Sequence, residues 1–152
     1  MTDAVAQLLP LFPAVPLIAA AFALLAPWRA VRDSIMLIIP GMGIFAGLGL
    51  LMYTMNNGVV AHTVGLYQGN VGIPFAADAF SALMIITTMI VAFGANWFAI
   101  AGGETKSRFY PSLTLILITG VCGALLTADL FNFFVFIAVS YTHLRAHETR
   151  GN

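Results

Sequence analysis

Residues 34–55 read SIMLIIPGMGIFAGLGLLMYTM, with no charged side chain from end to end. A helix of that length rises about 33 Å, enough to cross the roughly 30 Å of hydrocarbon in a bilayer. Ser34 suits the N-cap position, where a hydroxyl can accept from a free backbone N–H. Gly41, Gly43, Gly47 and Gly49 give the segment a small-residue face. The pair Gly43 and Gly47, four apart, would let a second helix come close. A phosphate-binding reading of these glycines fails, because no strand precedes them and the segment is apolar throughout.

Three further runs of the same kind flank this one, at 8–27, 80–101 and 109–128. Pro10, Pro13 and Pro16 punctuate the start of the first, where Pro16 is expected to kink the helix by removing a donor. Trp28 closes it at a belt position typical of the membrane interface. Gly102-Gly103 breaks the third run, and Pro111 sits in the first turn of the fourth. Each run has about the twenty residues that a span requires. The expected fold is therefore an all-α integral membrane protein, with four full transmembrane helices and half of a fifth.

Composition points the same way. Of 152 residues, 61% are hydrophobic and 8% charged, against about 25% charged in a soluble domain. Six Lys and Arg balance six Asp and Glu, which gives no argument for nucleic acid; the lipid bilayer is the solvent the chain calls for. The single cysteine, Cys122, lies inside an apolar run and reads as a small packing residue. The first run is long for a signal peptide and lacks a basic leader, so it reads as a retained span.

The charges fall at the borders of the runs. Arg29 and Arg32 follow the first, while Lys106 and Arg108 follow the third. The N-terminal segment and the connection at 56–78 have no Lys or Arg. Basic loops favour the cytoplasmic side. The expected orientation puts the N-terminus outside and the loops at 28–33 and 102–108 in the cytoplasm. The connection at 56–78 is long for a helix–helix link, and a strand pair or an interfacial segment is expected there.

A fifth apolar run starts at Leu130 and loses its character after about ten residues. Residues 138–152 are polar by comparison and hold two of the three histidines, His143 and His147. A helix that stops halfway would leave polar groups in hydrocarbon, at several kcal/mol each. Residues 1–137 are accordingly expected to form one transmembrane region, and 138–152 a non-native tail of frameshift or adapter origin. His143, His147 and Glu148 do not have metalloprotease spacing, and no metal site is expected.

Two segments carry a family resemblance. Residues 75–84, FAADAFSALM, and 125–136, LLTADLFNFFVF, resemble signatures of the antiporter-like membrane subunits. The pattern is most similar to the D-type subunit of Mrp-type multisubunit cation/proton antiporters, and the proton-pumping subunits of respiratory complex I share the same core. The resemblance covers residues 1 to about 137. It implies a fold of about fourteen helices with two inverted five-helix repeats, working beside other antiporter-complex membrane subunits and moving monovalent cations, sodium first among them, and protons. It implies no cofactor and no enzymatic chemistry in the subunit itself. It also implies a glutamate on the aromatic helix at the position of Ala138, which this sequence lacks, so no catalytic residue is transferred.

The residues left as candidates for an ion entrance are Asp78, Asp129 and Asn132. Capping and interfacial solvation are the plainer roles for the two aspartates, and a hydrogen bond across helices for Asn132. Gly43, Gly47, Gly120 and Gly123 are expected to pack helices. Two other functions fit the same sequence. One is a proton-translocating membrane subunit of a quinone-linked oxidoreductase or hydrogenase, and the other a small membrane assembly protein.

Overall fold

The computed structural model describes residues 2–64 and 72–148, with side chains described for 5–64 and 72–142. Pro10 lacks a backbone N–H, and the first apolar run divides there into α1 (Thr2–Leu8) and α2 (Leu11–Leu25). Together they hold an apolar span of 21 residues, Val5–Leu25. α3 (Arg29–Asn57) follows after a three-residue link, then β1 (Val60–Val64), β2 (Ile73–Ala77) and α4 (Ala79–Gly102). A short 3-10 turn at Glu104–Lys106 leads to α5 (Tyr110–Leu126) and α6 (Leu130–Glu148).

The helices pack as antiparallel neighbours. Along α3 and α4, Gly41 lies opposite Phe93, Gly43 opposite Met89 and Gly47 opposite Ile86. Ser112 of α5 donates to the Ala20 carbonyl of α2 at 2.9 Å, and Arg108 Nε donates to the Leu24 carbonyl at 3.3 Å. α6 folds back on α5. The core is formed by Ala20, Ala23, Leu50, Ile85, Met89, Leu115, Ile118, Cys122 and Leu126, all buried. The outward faces of the same helices expose Phe22, Phe45, Phe98 and Phe134, which is the pattern of a bundle whose solvent is lipid.

Several boundaries differ from expectation. α3 begins at Arg29, not at Ser34, which is exposed inside the helix. Arg29 Nε pairs with Asp33 one turn on at 3.5 Å. The Arg32 N–H bonds the carbonyl of Trp28, whose extended backbone ends the link. Charges spaced to pair within a turn support helix as well as loop, so most of the expected loop at 28–33 is helical and the connection shrinks to 26–28.

Among the described residues three helical spans are long and apolar enough to cross a membrane: Val5–Leu25, Arg29–Asn57 and Ala79–Gly102. The fourth run yields α5, 17 residues long, or about 26 Å. It stops early because Thr127 and Ala128 are drawn into the hairpin. Thr127 bridges Phe75, and the Ala128 N–H bonds the Pro74 carbonyl at 2.9 Å.

α6 runs on past residue 137 to Glu148, but its apolar part, Leu130–Thr142, is shorter than a full span. The hydroxyls of Ser140 and Thr142 bond the carbonyls of Phe136 and Ala138 at 3.0 and 2.9 Å. Hydroxyls satisfied within the helix need not break it.

Candidate functional site

The hairpin and the segment before α6 put Asp78 and Asp129, the two aspartates considered for an ion entrance, at one end of the bundle. β1 and β2 pair antiparallel, with Val60 opposite Ala77 and Val64 opposite Ile73. Asp78 follows β2 and caps α4, its Oδ1 accepting from the Ser81 N–H at 2.7 Å. That backbone bond, helped by the Ser81 hydroxyl, holds the exposed Asp78 carboxyl below the usual aspartate value of 3.8. Asp129 precedes α6 and caps its first turn. Its Oδ1 accepts from the Phe131 N–H at 3.2 Å, and its Oδ2 from Asn132 Nδ2 at 3.2 Å.

The structure does not bring Asp78 and Asp129 into one site. With Thr127 opposite Phe75 in an antiparallel sense, the chain after Thr127 runs toward Pro74 and away from Asp78. Each aspartate is occupied by its own helix terminus, which is the capping geometry. Asn132 bonds Asp129 within α6, one turn away, and not a neighbouring helix.

The four glycines lie at helix contacts. A Cβ at Gly43 would stand 2.6 Å from the Met89 sulfur, and one at Gly47 2.8 Å from Ile86 Cγ1. At Gly123 it would meet the Phe136 ring, and at Gly120 the Ser140 hydroxyl. Ala138 is exposed on α6, while Asn132, Phe136, Val139 and Ser140 are partly buried. Position 138 therefore faces away from α5. The side chains of His143, His147 and Glu148 lie outside the described residues. Among the described residues no three His, Cys, Asp or Glu side chains gather as a metal site would require.

The opposite end of the bundle holds polar contacts that sequence reasoning missed. Arg29 donates to the buried Thr105 hydroxyl through Nη2 at 3.0 Å, tying the start of α3 to the turn after α4. Deeper, Asn96 is fully buried on α4 and its Nδ2 donates to the Met36 carbonyl of α3 at 2.9 Å. The residue four beyond Met36 is Pro40, also buried within α3. Proline has no N–H, so the Met36 carbonyl has lost its helical donor. Asn96 supplies the replacement from the neighbouring helix, as buried membrane segments require. A proline inside an apolar run, with a lone asparagine in the run that pairs with it, was the available signal.

No family model matches the chain. It is 35% identical over 135 residues to the D-type subunit of the Na(+)/H(+) antiporter of Alkalihalophilus pseudofirmus, a stretch of 82% of this chain and 26% of that one. A chain in the solved Mrp complex from Dietzia sp. DQ12-45-1b superposes with a TM-score of 0.86 at 39% identity, over 91% of this chain and 26% of that one. A chain of the membrane-bound sulfane sulfur reductase, an archaeal respiratory membrane complex, superposes with a TM-score of 0.78 at 22% identity, over 93% of this chain and 29% of that one; this last likeness speaks for the fold alone. The chain spans about a quarter of the length of the antiporter subunit it matches.

Proposed function

We infer, from its homology to the D-type subunits of Mrp-type Na+/H+ antiporters, that this chain forms the N-terminal membrane region of such a subunit. The observation that carries the reading is the 39% identity to the Mrp-complex chain, held at a TM-score of 0.86 over 91% of this sequence. In an assembled complex the subunit works in proton-driven efflux of a monovalent cation, sodium being the first choice. Its partners are other membrane subunits, and the exposed aromatic face of α6 gives them apolar surface to cover. The bundle is placed with Arg29, Arg32, Lys106 and Arg108 toward the cytoplasm and the hairpin outside, since basic loops favour that side.

The described spans contribute scaffold and not a proton path. Intramembrane ionisable residues mark such paths, and among the described residues no Asp, Glu, Lys, Arg or His lies at mid-span. Proton transfer needs a carboxylate at position 138, where this chain has alanine, together with groups on helices outside it. Residues 138–152 are read as a non-native tail. The likeness to a respiratory reductase chain supports a second reading, a proton-translocating subunit of a redox-driven complex.

Long-read sequencing of the source locus separates these readings. A frame that continues with glutamate at codon 138, among genes for small antiporter subunits, supports the first. Neighbouring genes for flavin or iron–sulfur subunits would replace it with the second. The present tail followed by a genuine stop would remove transport from this product.

A further inference from the structure

The end of the bundle at the start of α3 carries more positive charge than it neutralises. Arg29 is engaged with Asp33 and Thr105, which forms the one ion pair among the described residues. Arg32 is only 8% exposed, and its Nε is enclosed with no acceptor. An arginine cannot relieve burial by losing its proton, so what remains open of this guanidinium is a charged donor suited to an anion.

No acceptor among the described residues meets its Nε. Asp33 Oδ1 and Asn96 Oδ1 are themselves enclosed without a donor, so neither bonds Arg32. Glu104 is exposed on the turn beyond α4, beside exposed Lys106 and Arg108. With Arg29 and Asp33 set against each other, Arg32, Lys106 and Arg108 outnumber Glu104. Trp28, 73% exposed, immediately precedes the first turn of α3, and tryptophan favours the membrane interface. Basic pockets between helix ends at a membrane face are suited to anionic headgroups.

We propose that Arg32, at the end of the bundle that also carries Lys106 and Arg108, binds the phosphate of an anionic glycerophospholipid in the leaflet there. Arg32 supplies the donors nearest the helices, and the two loop cations draw the net negative headgroup toward them. The site depends on the chain lying in a membrane, and not on its taking part in antiport.

The test is native mass spectrometry of the intact chain released from nanodiscs of mixed phosphatidylglycerol and phosphatidylcholine. The expected result is selective retention of phosphatidylglycerol, reduced roughly fivefold by Arg32→Gln. Equal retention of the two lipids, or undiminished selectivity in a folded Arg32→Gln chain, overturns the proposal. Displacement of phosphatidylglycerol by inorganic phosphate would make free phosphate the ligand and also overturn it. Should Arg32→Gln fail to fold, Arg32→Lys decides: it keeps the charge and loses the guanidinium fork, so selectivity must fall, and unchanged selectivity would mean a diffuse basic rim and not a site at Arg32.

Discussion

At the scale of single residues, two polar groups have distinct tasks. Asn96 repairs the hydrogen bond that Pro40 removes from Met36. Asn96→Leu should cost roughly 1–3 kcal/mol, the usual consequence of stranding a buried carbonyl. In a Pro40→Ala background, the restored backbone N–H can donate to the Met36 carbonyl, and the same change should cost about 1 kcal/mol less. Unfolding of the four chains in detergent checks this, and strictly additive costs would contradict it. Asp78 is a pH-dependent cap. Its carboxyl is held below the ordinary aspartate value in the folded chain, so its contribution is present above about pH 4 and lost as pH falls through the lowered value. The stability gap between wild type and Asp78→Ala should be level near neutrality and narrow in acid. A gap that widens in acid would remove the charged cap from the account.

At the scale of elements, the apolar runs made the helices legible and their ends less so. Hydropathy marks a charge as the end of a span, yet Arg29 and Asp33 pair within a turn and start α3 five residues before Ser34. In the same way, the run at 109–128 lost its last residues to a hairpin contact from another part of the chain, which no local pattern could reveal. The long polar connection did carry a strand pair, because its length and turn residues left room for one. The Asn96 contact was hidden for a different reason: its partner is a backbone carbonyl sixty residues away. Glycines on one helix are also not equivalent. Gly47 meets Ile86, whereas nothing lies within 4 Å of a Cβ at Gly49. Gly47→Ala should destabilise by roughly 1–3 kcal/mol through overpacking. Gly49→Ala should be neutral or stabilise by up to about 1 kcal/mol, as alanine favours helix. Thermal unfolding in detergent separates the two, and equal effects would mean that α3 and α4 do not pack closely at Gly47.

At the scale of the whole molecule, the hairpin and the capping aspartates lie at one end and the arginine cluster at the other, with apolar helices between. The sequence carried that polarity openly, because charge placement is read directly. The family resemblance added what spacing could not, an expected carboxylate on α6 at a position that proves to face away from α5. The central claim is that residues 1–137 are the N-terminal region of a D-type antiporter subunit. The most direct measurement is sodium-induced dequenching of a pH-sensitive dye in everted vesicles. The vesicles would carry an Mrp complex whose D-type subunit is a chimera, with residues 1–137 from this chain and the rest from a relative that supplies glutamate at position 138. The account predicts sodium-dependent dequenching by this chimera and its loss when Ala138 is retained. A stable, assembled chimera with glutamate at 138 and no antiport would contradict it.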